Sequence, residues 1–129
     1  MIAIDTNVLV RVLADDPGAP EQCRQSRDLL KESAEAWVSE IVLIETIWVL
    51  ESAYHFTKTQ LLDVLTLLAH HPGIRTESGK RLDVALALYS IGSVDFSDCL
   101  ILANAMALHL ELFTFDKKLA RLHGVTKVG

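Results

Sequence analysis

The feature that most constrains the fold is a regular alternation of short apolar runs with longer helical patterns. Strand-like runs lie at residues 1–5, 36–38, 74–77, 111–115 and 125–128. Helical patterns fill residues 7–14, 21–34, 40–55, 57–71, 79–92, 95–110 and 117–124. Most strand-to-strand stretches are long enough for the crossover connection that parallel strands require. The alternation therefore predicts an α/β fold with a parallel sheet that helices cover on both faces.

Local signals set several of these boundaries. Ser39 and Thr57 each stand just before a helical pattern and are predicted N-caps. Pro72 and Gly73 predict the end of one helix, and Gly92 predicts the end of another.

Length and composition favour one globular domain over residues 1–129. Half of the residues are hydrophobic and the mean hydropathy is +0.30, so we expect a partner or a second copy to cover some apolar surface. No apolar run approaches the ~18–20 residues of a membrane span, and no signal peptide is expected. Cys23 and Cys99 are isolated cysteines, a usage typical of a reduced, cytoplasmic compartment.

The net charge of −5 argues at first sight against a nucleic-acid partner. That argument is weak, because carboxylates that hold divalent cations make a chain acidic while the occupied site stays close to neutral. Lys117, Lys118 and Arg121 form a small basic group near the C-terminus. A solvated helix face and a phosphate contact both account for this group, and the sequence does not choose between them.

Four acids that are distant in the sequence are expected at one edge of the predicted sheet. Asp5 ends the first strand and Asp116 follows the fourth. Asp98 begins the helix that runs back toward the fourth strand, and Glu45 lies six residues after Ser39 in the helix that follows the second strand. In a parallel sheet these positions share the carboxyl edge, where ligands bind.

Each acid also has a structural alternative. Asp98 fits a capping box with Asp95, and Asp116 fits an N-cap of the last helix. Asp5 is harder to explain in this way, and Glu45 is the hardest. Glu45 interrupts the apolar stretch "IVLIETIWVL", where we expect it to be buried, and an unpaired buried carboxylate is costly.

Carboxylates gathered this closely repel one another unless a cation lies among them. Oxygen ligands suit Mg²⁺ or Mn²⁺, and such an ion both acidifies a bound water and stabilises charge on a phosphate. The implied reaction is hydrolysis of a phosphodiester bond by a metal-activated water. Cys99 is interpreted as a core residue. The adjacent pair His70 and His71 is interpreted as a helix end.

Four segments, "MIAIDTNVLVRVL", "IVLIETIWVLESAY", "DFSDCLILANAMA" and "TFDKKLARL", resemble in order the blocks of PIN-domain ribonucleases, specifically VapC-type toxins. The resemblance runs from Met1 to about Leu122. It implies a three-layer α/β/α sandwich with a short parallel sheet, and an Mg²⁺- or Mn²⁺-dependent endoribonuclease that is the toxin of a type II toxin–antitoxin pair. The four residues that match the acids of the family are Asp5, Glu45, Asp98 and Asp116. The matching supporting residues are Thr6, Asn7, Thr114 and Asp95.

The resemblance also implies an RNA substrate and a cognate antitoxin that is partly disordered until it binds. From the apolar content, and from Trp37, Trp48 and the segment "LLDVLTLLA" in particular, we expect a homodimer and a groove for an apolar segment of the second protein. The main alternative is a non-catalytic PIN-like module that binds RNA or protein. A phosphoaspartyl receiver is disfavoured because the later strand ends in Asp116 rather than a lysine, and a DNA-directed nuclease remains open.

Overall fold

The computed structural model describes all residues 1–129. The chain forms two compact units, Met1–Gly79 and Lys80–Gly129. None of its helices has the length and apolar character needed to cross a membrane. The single-domain assignment remains a prediction.

Three short parallel strands form the sheet of the first unit. They are β1 (Ile2–Ala3), β2 (Ala36–Val38) and β3 (Ile74–Thr76), in the order β1-β2-β3. Ala36 is paired with Ile2 on one side and with Ile74 on the other. Ala36 and Val38 are fully buried, as expected for a central strand with helices on its faces.

Four helices connect these strands: α1 (Thr6–Leu13), α2 (Pro20–Glu32), α3 (Glu40–Ser52) and α4 (Lys58–His70). Both predicted caps are confirmed. The Ser39 hydroxyl accepts a hydrogen bond from the backbone N–H of Val42 at 3.2 Å. Thr57 and Gln60 form a reciprocal capping box at the start of α4.

Helix α4 contributes to the core, so the prediction that "LLDVLTLLA" presents an apolar docking surface is wrong for most of that segment. Leu61, Val64, Leu65 and Leu68 are all buried, and among the apolar residues of the segment only Leu67 is substantially exposed, at 49%. Spacings of three and four residues place those four side chains on one stripe of the helix, which faces the core.

The second unit is built around two helices and a two-stranded parallel sheet. Helix α5 (Gly79–Ile91) leads into it, and α6 (Phe96–Ala107) precedes β4 (Leu112–Thr114), which pairs with β5 (Val125–Lys127). The expected α/β class with parallel strands is confirmed. The strands form two sheets instead of the expected single sheet: β1, β2 and β3 pair in one, and β4 and β5 pair in the other.

The predicted helix over residues 117–124 is wrong. Only a single 3-10 turn, Leu119–Arg121, forms there. Its bonds span three residues, as from the N–H of Leu122 to the carbonyl of Leu119. Gly124 follows with a φ of +83°, a left-handed conformation that directs the chain into β5.

Candidate functional site

Asp5 lies between β1 and α1, where it has a structural role that the sequence analysis did not foresee. Asp5 is the N-cap of α1, and its Oδ1 accepts a hydrogen bond from the backbone N–H of Val8 at 3.1 Å. The side chain is exposed to solvent. The carboxylate therefore satisfies a helix end and still presents its charge at the carboxyl end of β1.

Glu45 is exposed, so the prediction of a buried carboxylate is wrong. Glu45 shares the outer face of α3 with Ile41 and Trp48, which are 70% and 67% exposed, whereas Thr46 and Ile47 are buried. The apolar stretch around Glu45 has hydrophobic residues on every face of the helix. The hydrophobic pattern of the sequence therefore does not indicate which face is exposed to solvent.

Thr6 links the start of α1 to Glu45. Its hydroxyl donates a hydrogen bond to Oε1 of Glu45 at 3.2 Å. Asn7 is exposed and lines a cavity of about 360 Å³ together with Asp5 and Arg11. The first unit thus brings together Asp5, Thr6 and Glu45, three of its four candidate residues, and holds Asn7 beside Asp5.

In the second unit, Asp95 and Asp98 stand at the start of α6. Asp95 occupies the N-cap position but makes no capping hydrogen bond through its side chain. The capping-box alternative for Asp95 and Asp98 is therefore not what the structure has. Asp98 is half-buried, and its carboxylate takes part in no ion pair or hydrogen bond, which leaves its charge uncompensated by protein groups.

The electrostatic surroundings of Asp98 are unfavourable to its charge. Burial raises the pKa of the Asp98 carboxyl above its usual value, and the negative charges of Asp95 and Asp116 raise it further. The effect of Asp116 shows that the start of α6 and the segment after β4 present their acids to each other. A cation among these carboxylates would relieve the repulsion.

Asp116 follows β4 and has the capping role that the sequence offered as an alternative. Its Oδ1 accepts a hydrogen bond from the backbone N–H of Leu119 at 2.9 Å, as a cap of the 3-10 turn would. The hydroxyl of Thr114 accepts a hydrogen bond from the backbone N–H of Asp116 at 3.0 Å. Thr114 thereby fixes the backbone from which the exposed Asp116 carboxylate projects.

These three acids line one cavity of about 410 Å³ within the second unit. The complete lining consists of Ser93, Val94, Asp95, Asp98, Asp116, Lys117 and Lys118. Sequence reasoning did not single out Ser93, although its position between Gly92 and a predicted helix start was a signal for a loop at the site. It also passed over Arg11, which lines the cavity that contains Asp5.

Carboxylate oxygens are the donors that Mg²⁺ and Mn²⁺ prefer, so the residue types fit a hard cation. No group of three or more His, Cys, Asp or Glu side chains is arranged to hold a metal ion. The observation that favours a cation is the mutual repulsion at Asp98, which no protein cation neutralises.

Comparisons with known proteins place the chain in a family. No curated protein matches it. Among solved structures, a toxin-antitoxin complex from Klebsiella pneumoniae matches at 24% sequence identity and a TM-score of 0.40, with coverage of 98% of this chain and 96% of that chain. The family model described as the PIN domain matches residues 2–125, and on this match the chain belongs to the PIN domain family.

Proposed function

We propose that this protein is a metal-dependent endoribonuclease that acts as the toxin of a type II toxin–antitoxin pair. The observation that carries the proposal is the crowding of Asp98 by Asp95 and Asp116 in a cavity of about 410 Å³. Protein folds do not gather uncompensated carboxylates without a cost, and a divalent cation is the usual compensation. Membership of the PIN domain family supports a nuclease.

The proposal assigns a role to each of the eight candidate residues. Those assigned to the metal-dependent reaction are Asp5, Glu45, Asp98 and Asp116. Those assigned to support are Thr6, Asn7, Thr114 and Asp95. A bound Mg²⁺ or Mn²⁺ would supply Lewis-acid stabilisation of the scissile phosphate and a water of lowered pKa. Thr6 orients Glu45 through its hydroxyl, and Thr114 fixes the backbone of Asp116.

The partners in the proposal are an RNA substrate, a cognate antitoxin and a second copy of the chain, all within the cytoplasm. The antitoxin follows from the resemblance of the four sequence blocks to VapC-type toxins. A gene for a small DNA-binding protein next to the gene for this chain would support that assignment.

Asp5→Asn tests the proposed function and separates the two roles of Asp5. Asparagine caps a helix as well as aspartate does, so α1 should keep its N-terminal hydrogen bond while the site loses a metal-binding charge. We expect cleavage of single-stranded RNA in Mg²⁺ or Mn²⁺ to fall about 100-fold or more, with the melting temperature unchanged.

Two further variants serve as controls. Asp5→Ala should lose cleavage and also about 1 kcal/mol of stability, because alanine cannot cap α1. Asp63→Asn removes an exposed charge on α4 and should change neither property. An Asp5→Asn protein that cleaves at the wild-type rate would refute the site. Undiminished cleavage in excess chelator would refute the metal, and RNA binding without cleavage would favour the non-catalytic module.

A further inference from the structure

Lys117 and Lys118 line the same cavity as Asp95, Asp98 and Asp116. Both lysines are exposed, and they directly follow Asp116 in the chain. The sequence alone left this basic group undecided between a solvated face and a phosphate contact. The structure shows where two of its three side chains lie: Lys117 and Lys118 line the cavity that also contains the candidate acids.

Neither lysine is engaged with those acids. Arginines of the first unit form five ion pairs within 4.0 Å. Lys117 and Lys118 take part in none of them, although three carboxylates line the same cavity. Their ammonium groups therefore remain available to an anion that enters it.

The charge balance of the cavity wall favours such an anion once a cation is bound. Three carboxylates outweigh two ammonium groups by one unit of charge, so the empty wall is net negative and repels a phosphate. One divalent cation reverses the balance to one unit positive. The lysines are what make the loaded cavity attractive rather than neutral or negative, since without them one divalent cation would not neutralise three carboxylates.

We propose that Lys117 and Lys118 bind backbone phosphates of the nucleic-acid substrate next to the carboxylate site and thereby strengthen substrate binding there. This inference rests on the proposed nuclease function and adds to it two substrate-binding residues. Because an ammonium group contacts a phosphate as a point charge, the contact is insensitive to base sequence.

Lys117→Gln and Lys118→Gln, singly and together, test the inference. We expect each substitution to raise KM for single-stranded RNA about two- to five-fold, as for an exposed ion pair, with little change in kcat. Lys117→Arg and Lys118→Arg should retain the wild-type KM. Lys80→Gln, which removes an exposed lysine outside the cavity in the same unit, is the matched control.

Equilibrium binding gives a readout that a structural defect would not reproduce. Anisotropy of a short fluorescein-labelled single-stranded RNA is measured in Mn²⁺ at several salt concentrations, in an Asp5→Asn background that should not cleave. The slope of log K against log salt should fall by about 0.7 for each lysine removed. Binding of Mn²⁺ itself, followed by calorimetry, should not weaken.

The outcomes distinguish the inference from the function on which it rests. If the wild-type protein cleaves RNA but the glutamine variants keep its KM and salt slope, the lysines are a solvated face and the inference is overturned. If the wild-type protein neither cleaves nor binds RNA in Mn²⁺ or Mg²⁺, the proposed function fails and the inference fails with it. A slope that falls equally in Lys80→Gln would also overturn the assignment to these two lysines.

Discussion

Burial of Asp98 and the negative charges of Asp95 and Asp116 all raise the pKa of the Asp98 carboxyl group. In the metal-free protein the raised pKa means that the folded state binds the proton of Asp98 more tightly than the unfolded state does. Between the unfolded and the folded pKa of Asp98, stability therefore falls as the pH rises. Ionisation of Asp98 costs stability above its unfolded pKa, and the cost disappears below it. Repulsion of this kind is expected where a site is organised for a ligand rather than for stability.

Asp98→Asn should therefore stabilise the metal-free protein at about pH 7 and lose that advantage as the pH falls to about 3. Thermal melts of both proteins in chelator, at a series of pH values, measure the difference. Added Mn²⁺ should stabilise the wild-type protein and not the variant. A variant that is less stable than wild type at neutral pH would show that Asp98 has a stabilising partner.

Residue identity was more predictable than residue environment. The sequence was enough to select Asp98 and Asp116 as acids that lie together, because their positions relative to α6 and β4 follow from the topology. It could not reveal that Glu45 is exposed, since Ile41 and Trp48 put hydrophobic side chains on the solvent face of α3. The capping bond from Asp5 to Val8 was also missed, although an aspartate before a helical pattern is a common N-cap.

Between elements, a polar network joins α1, α2 and the turn that follows α3. Arg11 donates to the Tyr54 hydroxyl at 2.6 Å and to Gln22 at 3.1 Å. Tyr54 in turn donates to Oδ2 of Asp16 at 2.7 Å, and the backbone N–H of Gly18 donates to Oδ1 of the same carboxylate at 2.8 Å. The Tyr54 hydrogen bond is the main reason that the pKa of Asp16 lies below its usual value, with smaller contributions from Gly18 and Arg11. The network joins the last turn of α1 to α2 and to the loop after α1.

Tyr54→Phe should lower the melting temperature by a few degrees at about pH 7, because the hydrogen bonds of the hydroxyl to Asp16 and Arg11 are lost. The pKa of Asp16 is depressed in the folded state, so its contribution is present above the unfolded pKa and is lost as the pH falls through the folded value. The difference between variant and wild type should then shrink below about pH 3. A difference that stays constant across this range would mean that the lost hydrogen bond from Arg11, not the one to the ionised Asp16, is responsible.

The ends of helices were predictable where a capping side chain marks them in the sequence. They were not predictable where only the backbone conformation ends the helix. Ser39 and Thr57 fixed the starts of α3 and α4. Helix α6 was predicted to continue to residue 110 but ends at Ala107, because His109 adopts a φ of 57°. The N–H groups of His109 and Leu110 bond back to Met106 and Ala105, which is a Schellman motif without its usual glycine. Without that glycine the sequence carries no sign of the stop.

For the whole molecule, the apolar content that suggested a second copy is only partly buried within the chain. Of the features that motivated a homodimer, Leu61, Leu65 and Leu68 of α4 are in the core, Trp37 is 37% exposed, and Trp48 is 67% exposed. Ile41 lies on the same face of α3 as Trp48 and is 70% exposed. Apolar side chains that are this exposed and this close together are characteristic of surfaces that another chain covers.

We expect sedimentation to give a mass of about twice 14.3 kDa at micromolar concentration. Trp37 and Trp48 are the two tryptophans of the chain, so their emission reports the association directly. Dilution should shift the emission to the red as Trp48 becomes hydrated, and Trp48→Phe should abolish the shift while Trp37→Phe preserves it. Trp48→Ser should lower the sedimenting mass toward one chain, because a polar side chain removes most of the apolar area on that turn of α3. A mass of one chain for the wild-type protein at every concentration, with emission independent of dilution, would leave the exposed face of α3 to the antitoxin or to RNA rather than to a second copy.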